Sequence, residues 1–398
     1  MNTFTKLSKS LMLTAAALLL AVMSVQAQDE DESAFSISGS VDAYFHTSLG
    51  TVEDAPSTSF ANLPGFSLGM VNTIFSYEGE KVGFVGDLVF GPRGAEAVFN
   101  SSAYTNSAGS GSGHIVNQLY AYWNVSDALT LTLGNFNTFL GYEVISPASN
   151  FNYSTSYMFS YGPFSHTGLK ADIGISDELS AVLAVMNPTD YTEFNPLKFI
   201  NPTSSNTYTY GVQLGYANDM GGAWLNFLIG DQDGKLDEDL AVDGDFSAGS
   251  LFQVDLTTGW DLSESFYLGF NATYWTTGAG ETVVAGNIED VDGDPSTFMG
   301  VALYPQLALS DPTSIGLRFE YFAEGNGGAG AIGTYDADGN ASVIDLTLSL
   351  NHKVDNLTII PEFRIDLASE DNTFTKDNDT FDGTTSLPTF SLAAVYSF

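Results

Sequence analysis

The chain has 398 residues and no cysteine, which excludes disulfide bonds and thiolate metal sites. Its 48 acidic side chains outnumber 11 basic ones, giving a formal charge of −37 at pH 7, and this argues against nucleic acid as a partner because a phosphate backbone needs basic patches. Only 15% of the residues are charged and 29 Phe and 19 Tyr are present, so the chain is not a disordered acidic polymer and suits one large β domain.

The first 27 residues have the pattern of a secretory signal peptide. Lys6 and Lys9 form a basic start, residues 11–22 form an apolar run, and Val25-Gln26-Ala27 is a small-residue cleavage site. The apolar run is too short to span a membrane as a helix. We therefore expect cleavage after Ala27, a short N-terminal segment over residues 28–35, and the mature domain over residues 36–398.

The mature sequence alternates between apolar and small or polar residues with a period of two, which predicts β-strands that have one apolar face. Sixteen such stretches follow in chain order: residues 37–45, 66–77, 82–90, 115–125, 129–136, 169–175, 179–186, 208–216, 223–229, 252–260, 266–275, 299–309, 315–323, 344–350, 357–367 and 389–398. Long loops and short turns connect them in alternation. This asymmetry is typical of an outer-membrane barrel, with short periplasmic turns and long extracellular loops.

The last stretch shows the pattern most clearly. Phe390, Leu392 and Tyr396 share one face, Thr389 and Ser391 share the other, and the chain ends on an aromatic residue. Such a strand leaves an unpaired edge unless it pairs with the first strand. We therefore expect an all-β, transmembrane, antiparallel up-and-down barrel, closed by its first and last strands.

Four strings of residues carry a likeness to a known family. They are Asn62-Leu63-Pro64-Gly65-Phe66, Leu119-Tyr120-Ala121-Tyr122-Trp123, Leu133-Gly134-Asn135-Phe136-Asn137-Thr138-Phe139-Leu140-Gly141-Tyr142-Glu143, and Asn152-Tyr153-Ser154. They resemble the OmpL-like β-barrel porins of the Gram-negative outer membrane. The resemblance implies an outer-membrane diffusion channel, and it brings no catalytic or ligand-binding residues with it.

The charged residues of the polar strand faces are the first candidates for function. If the apolar faces contact lipid, the following side chains point into the lumen: Asp42, Asp87, Lys170, Asp172, Asp255, Arg318, Glu320, Asp345, Glu362, Arg364 and Asp366. Those of the thirteenth and fifteenth predicted strands would form an ionic strip on one wall. Polar lumen residues set selectivity, so the excess of acid predicts a preference for cations. The alternative is that these ions pair across the wall and only hold the strands together.

The connection over residues 137–165 is the longest, with 29 residues, and it follows the fifth predicted strand. It is dense in aromatic residues, which are costly to expose, so it should pack against other parts of the protein. We predict that it folds into the barrel and constricts it, with Glu143 at the narrow point. The aromatic candidates are Phe139, Tyr142, Phe151, Tyr153 and Tyr157. Packing outside the barrel as a subunit contact and an aromatic track for sugars remain alternatives.

Acidic residues alternate in two of the long loops. Asp231 and Asp233 lie in one, and Asp290, Asp292 and Asp294 lie in another. Several oxygen ligands suit calcium, although neither loop has the distal Glu of an EF-hand. Asp-Gly pairs are also ordinary turn residues, so metal binding stays open at this point.

Signatures of enzymes are missing from the sequence. The four histidines are scattered without metal-ligand spacing, and no G-x-S-x-G motif occurs. We expect no catalysis and no cofactor, but a porin that lets small hydrophilic solutes and ions diffuse passively. Its expected partners are outer-membrane lipid and lipopolysaccharide, the barrel assembly machinery and, compatible with its size, two further copies in a homotrimer. The alternatives are a substrate-selective channel, for example for sugars, and a plugged barrel serving adhesion or hydrolysis.

Overall fold

The computed structural model describes residues 34–52, 55–99, 112–192, 207–377, 379–380 and 382–398. The expected signal peptide and nearly all of the segment 28–35 lie outside these residues. Within the described ranges, no helix is long and apolar enough to cross a membrane.

Sixteen antiparallel strands form one closed barrel in chain order. They are β1 (Phe35–Ser48), β2 (Gly65–Glu78), β3 (Val82–Phe90), β4 (Val116–Ser126), β5 (Leu129–Asn137), β6 (Ser165–Gly174), β7 (Leu179–Met186), β8 (Thr209–Asn218), β9 (Gly221–Asp231), β10 (Ser250–Asp261), β11 (Phe266–Thr277), β12 (Ser296–Ser310), β13 (Thr313–Gly325), β14 (Ala341–Val354), β15 (Leu357–Ala368) and β16 (Ser386–Ser397). Every predicted strand is present, and the predicted fold class is confirmed.

The barrel closes where the two ends of the mature chain meet. β16 pairs with β1 in a register that places Val41 opposite Tyr396 and His46 opposite Ser391. The backbone N–H of Gly39 also donates to the carbonyl of Phe398 at 2.9 Å. No strand of the barrel therefore keeps an open edge, as a wall in contact with lipid requires.

The two faces of the wall differ as the alternation predicts. Ile37 and Leu392 are exposed on the outer face, with 54% and 43% of their surface accessible. Ser40 and Ser391 point inward and are buried. The same alternation around the ring gives an apolar outer band, typical of a membrane barrel, and an interior in which polar side chains lie beside apolar clusters such as Phe298, Phe322 and Val343.

Two inward aspartates lie beside bulges of the neighbouring strand. The β1–β2 register shifts between Val41 and Ala43, and the carboxylate of Asp42 accepts the backbone N–H of Met70 at 3.0 Å. The β3–β4 register shifts beside Asp87, whose carboxylate accepts from the amides of Asn72, Asn117 and Gln118. Each bulge adds one residue to β2 or β4, and Met70 and Asn117 in these bulged stretches donate to the two aspartates.

The long connections contain short elements of their own. α1 (Pro92–Ala97) follows β3, and α2 (Tyr157–Tyr161) lies between β5 and β6. Phe246–Ser247, Glu281–Val284 and Asn287–Asp290 form a small sheet from the loops after β9 and β11, and Phe374–Asp377 pairs with Asp382–Thr384 in the last loop.

Candidate functional site: an inner segment between two walls

Residues 138–164, here called the inner segment, lie inside the barrel and contact strands on opposite sides of it. The carbonyl of Phe139 accepts from Gln213 on β8 at 3.1 Å, and the N–H of Gly141 donates to Asp255 on β10 at 2.9 Å. At the other side the phenol of Tyr153 donates to Asp42 on β1 at 2.5 Å. The inner segment therefore crosses the barrel interior.

Glycines on the inner face of the wall make room for side chains of the inner segment. A Cβ atom at any of four inward positions would overlap a side chain of the segment: Gly211 with Phe139, Gly269 with Tyr142, Gly300 with Met158, and Gly316 with Phe151. These glycines lie on β8, β11, β12 and β13. The wall thus has a recess at each of these four side chains of the segment.

One part of the wall, over β13 to β15, concentrates buried charge. We call Arg318, Glu320, Asp345, Glu362, Arg364 and Asp366 the charged wall; none is more than 4% exposed. Strand pairing puts Asp345 beside both Glu320 and Asp366. Arg318 pairs with Asp345 at 2.8 Å, and Arg364 pairs with Asp366 at 2.7 Å.

The carboxylates of the charged wall bind backbone N–H groups of the inner segment. Glu320 accepts from the N–H groups of Tyr157 and Met158, both at 2.8 Å. Glu362 accepts from those of Tyr153 and Ser154 at 2.7 and 3.0 Å. These backbone groups have no strand partner and are buried, so each needs an acceptor, and a carboxylate is a strong one.

The arginines of the charged wall bind the carbonyls of the same stretch. Arg318 donates to the carbonyl of Ser154 at 2.7 Å, and Arg364 donates to that of Thr155 at 2.7 Å. Arg318 also reaches Glu143 at 2.8 Å, whose other oxygen accepts the N–H of Ser156 at 2.7 Å. The charged wall therefore holds residues 153–158 by donors and acceptors alike.

The wall over β8 to β11 carries neutral amides instead. We call Gln213, Asn226, Gln253, Asp255 and Asn271 the amide wall. Gln213 donates to Asn226 at 2.7 Å, and Asn226 donates to Asp255 at 3.1 Å. Asn271 donates to the second oxygen of Asp255 at 2.6 Å. Asp255 is thus the single charged member of a hydrogen-bonded row.

A small gap of about 20 Å³, room for roughly one water molecule, lies between the inner segment and the amide wall. Gln253, Asp255, Asn271 and Thr273 line its wall side, and Leu140, Gly141, Met158, Phe159, Gly162 and Pro163 line its segment side. The gap is narrow, because the lining side chains of the wall are no more than 7% exposed. One side of it is polar and the other is largely apolar.

Aromatic contacts fix the inner segment between the walls. Tyr142 stacks on Tyr304 with ring centroids 4.1 Å apart, and Tyr157 stacks on Phe322 at 5.6 Å. The phenol of Tyr142 also donates to that of Tyr267 at 3.1 Å, and burial raises the pKa of Tyr142 well above its ordinary value. Such pairs add to the stabilisation from buried area.

Asp190, from the loop after β7, fixes the end of the inner segment. Its carboxylate accepts the N–H groups of Phe164 and Ser165 at 2.6 and 3.0 Å. Burial raises the pKa of Asp190 to about 6, although the two hydrogen bonds act in the opposite direction. Keeping the Asp190 side chain ionised at this buried position therefore costs free energy.

The structure places the remaining predicted charges apart from these two walls. Lys170 and Asp172 on β6 form an ion pair at 2.9 Å, and Asp172 keeps 34% of its side chain exposed. Asp42 and Asp87 sit at the two bulges. The predicted roles of the charges in ion selection, and of Glu143 at the narrow point, stay predictions; Glu143 itself is buried in the charged cluster.

Sequence reasoning missed the uncharged members of the site and one arginine. The prediction of lumen residues was limited to charged side chains, so it did not include the amides Gln213, Asn226, Gln253 and Asn271. Their signal is present: each is a polar residue at an inward position of four consecutive strands. No pattern in the sequence indicated a role for Arg93, which lies in α1. It donates to the carbonyls of Ile145 and Tyr153 at 3.0 and 3.2 Å.

The structure does not bring the calcium candidates together. No group of three or more acidic or histidine side chains is placed to hold a metal ion among the residues that the structure describes. Asp231 accepts the N–H of Gly234 at 2.8 Å, and Asp233 accepts that of Ala248 at 2.8 Å. Asp290 pairs with Glu281 across a loop hairpin. The carboxylates of Asp231 and Asp233 therefore accept within turns, and calcium binding by these loops stays a prediction.

A sixteen-stranded closed barrel with an apolar outer face and an inward-folded segment defines the class of outer-membrane, porin-like barrels. Residues 34–398 match the family model of the putative beta-barrel porin-2, OmpL-like proteins. The chain belongs to this family, as the sequence resemblance predicts. No curated protein matches the sequence significantly.

Solved outer-membrane proteins share the fold at low identity. The channel DcaP of Acinetobacter baumannii is 13% identical with a TM-score of 0.53, covering 92% of this chain and 97% of its own. An anion-selective porin from Comamonas acidovorans is 9% identical with a TM-score of 0.55, covering 92% and 100%. A trimer form of OmpT of Vibrio cholerae is 10% identical with a TM-score of 0.51, covering 92% and 99%. These likenesses concern the fold, and they do not support the predicted preference for cations.

Proposed function

We propose that the protein is a channel of the Gram-negative outer membrane through which small hydrophilic solutes diffuse passively. The observation that carries this proposal is the inner segment, which is held across a lipid-facing barrel and leaves a polar-lined gap on one side. A barrel that only anchored surface loops would need no such organised interior. The proposal includes no catalytic step and no cofactor.

In this proposal the charged wall anchors the inner segment. Its carboxylates and guanidinium groups are occupied by backbone groups of residues 153–158. Because they are buried and paired, they offer little to a passing ion. We therefore do not carry the cation preference forward, and we assign the control of passage to the position of the inner segment.

A second candidate is a barrel that does not conduct and that presents its long loops as an adhesive surface. It is favoured by the burial of inward side chains around the ring, for example Arg318, Asn226 and Thr389, which are at most 4% exposed. An open pore wets such residues.

Recording in planar bilayers separates the two candidates. Purified, folded barrel should give stepwise currents in KCl, with steps smaller than those of the same barrel lacking residues 143–160. Folded wild-type protein that stays silent, while the deletion variant conducts, would reject the channel and favour the non-conducting barrel.

Homotrimer assembly and contact with lipopolysaccharide belong to the same proposal. Crosslinking in native membranes tests the assembly into a homotrimer.

A further inference from the structure

The loop between β1 and β2 packs on the part of the inner segment that lines the gap. Its residues 58–61, here called the latch, lie against residues 159–164. Resting on the proposed channel function, we propose that the latch is a gate, whose release from the inner segment widens the gap and admits solutes. Phe60 is the positioning residue of this gate, because it acts on the passage through the inner segment.

The gap has to widen before a solute can use it. Its volume of about 20 Å³ has room for roughly one water molecule. Its wall side is lined by strand residues such as Gln253 and Asn271, which the pairing of the closed barrel holds in place. On the segment side, Phe159, Gly162 and Pro163 belong to no strand. A wider passage therefore requires that the segment side move.

The gap-lining stretch, residues 159–163, lies between two anchors. The carboxylate of Glu320 accepts the backbone N–H groups of the two residues before the stretch, both at 2.8 Å. The carboxylate of Asp190 accepts those of the two residues after it, at 2.6 and 3.0 Å. Movement of the stretch, together with the side chain of Phe159, therefore does not require that either anchor break.

The latch holds this stretch in place. The N–H of Ser59 donates to the hydroxyl of Ser160 at 2.7 Å. The centre of the Phe60 ring lies 5.7 Å from that of Phe159 and 5.9 Å from that of Phe164, and the three rings belong to one buried apolar cluster. Phe159 therefore stays at the gap as long as the latch is in place.

The backbone of the latch is strained, which suits a part that moves. Phe60 has a φ of 70° and Ala61 a φ of 55°. Both angles lie in the left-handed region, which bulky residues rarely adopt. Such a conformation persists only where the surroundings hold it, and it is common in parts that switch between states. Release of the latch relieves this strain, which offsets part of the contacts that are lost.

Arg93 in α1 holds the latch closed. Its guanidinium group lies 4.4 Å from the centre of the Phe60 ring and 5.2 Å from that of Tyr153. It is 2% exposed, and none of the ion pairs among the described residues includes it. The face of an aromatic ring attracts a cation, and the attraction is stronger where water is excluded. Arg93 also donates to the carbonyl of Tyr153 at 3.2 Å, so it joins the latch to the inner segment.

A reversible tether tests whether the latch must release. The chain has no cysteine, so Ser59→Cys combined with Ser160→Cys introduces a single pair of thiols. Oxidation should abolish most of the KCl current of this variant in planar bilayers, and dithiothreitol should restore it. The matched control is Ser36→Cys with Ser76→Cys, two paired serines of β1 and β2 whose hydroxyls are 2.7 Å apart, and its current should not change on oxidation. Mass spectrometry confirms each disulfide.

Phe60→Ala tests the positioning residue. The variant lacks the contact between ring and guanidinium group, so the open fraction of the recordings should rise about tenfold, the equivalent of one desolvated cation–π contact. The matched control is Phe374→Ala, which changes a similarly buried phenylalanine of the last long loop and should leave the open fraction unchanged. A merely structural role of Phe60 predicts the same open fraction for both variants.

The outcomes separate the gate from the channel itself. Silence of folded wild-type protein would reject the channel and the gate with it. With a conducting wild type, an oxidised Ser59→Cys, Ser160→Cys variant that conducts as before would keep the channel and overturn the gate. Equal open fractions for Phe60→Ala and Phe374→Ala would do the same. Heat-modified migration in gels confirms folding of each variant.

Discussion

The charged wall and the amide wall face the same inner segment and treat it differently. The charged wall binds its backbone with paired carboxylates and guanidinium groups, all buried. The amide wall meets it through one carboxylate and one glutamine amide, and it leaves a gap beside Leu140 and Gly141. Buried charges hold a loop firmly because an unpaired charge is so costly, whereas neutral amides allow a neighbour to move or a solute to pass.

The largest expected effect is the loss of the central cation of the charged wall. Arg318→Ala leaves Glu143 and Asp345 buried without their partner, so the free energy of unfolding should fall by about 3–5 kcal/mol. Urea unfolding in lipid vesicles measures it. Asn226→Leu on the amide wall removes the bond from Gln213 and one of several donors to Asp255, which keeps its other donors, so it should cost only about 1–3 kcal/mol. If Arg318→Ala and Asn226→Leu lowered the free energy of unfolding equally, the difference drawn here between the charged wall and the amide wall would be wrong.

Asp190 gives the next effect, one that depends on pH. Its pKa is raised to about 6 from 3.8 because its carboxyl is desolvated, so folding favours the protonated form. The stabilisation is full below pH 3.8 and is lost as the pH rises through 6, a change of about 3 kcal/mol. The measurement is the unfolding free energy of wild type minus that of Asp190→Asn between pH 4 and pH 7.5.

Asparagine is the matched control at this position, because its side-chain oxygen can still accept from Phe164 and Ser165 but does not ionise in this range. Relative to Asp190→Asn, wild type should lose stability with rising pH. A difference that stays flat, or that grows in favour of wild type, would contradict the account.

The barrel itself could be predicted from the sequence because each strand carries its own signal. The alternation of Ile37 and Val41 with Ser38 and Ser40 is local, and it repeats sixteen times. Aromatic density predicted that the segment after the fifth strand packs against other parts of the protein, and it left open whether it does so inside or outside the barrel. Its anchors could not be predicted, because Glu320 and Tyr157 are 163 residues apart and meet only once the strands are in register.

A smaller effect is expected where the wall makes room for the segment. Gly300→Val places a side chain where Met158 packs, which should cost about 1–3 kcal/mol and push the segment toward the gap. The single-channel conductance should change together with the stability. Gly86→Val is the control, because the nearest side-chain atom to a Cβ there is 4.0 Å away, on Leu119. Identical conductance in the two variants would place the segment away from the passage.

The smallest effect concerns one hydroxyl group on the gap side. Tyr142→Phe keeps the ring stacked on Tyr304 and removes the hydrogen bond to Tyr267, so stability should fall by only about 0.5–1.5 kcal/mol. Thermal unfolding followed by near-ultraviolet circular dichroism measures the change. A loss as large as that of Arg318→Ala would show that the segment is held as firmly on this side as on the other.

The most direct measurement places single cysteines on the two walls and records conductance while a small neutral methanethiosulfonate is added. The chain has no cysteine of its own, so no background reaction occurs. Thr273→Cys lies at the gap, and Thr347→Cys lies among the charged side chains, where the native threonine accepts from Arg318 at 3.1 Å. Passage along the amide wall predicts that the reagent reduces the current of Thr273→Cys and leaves that of Thr347→Cys unchanged. Block of Thr347→Cys alone would put the passage on the charged wall and contradict the account.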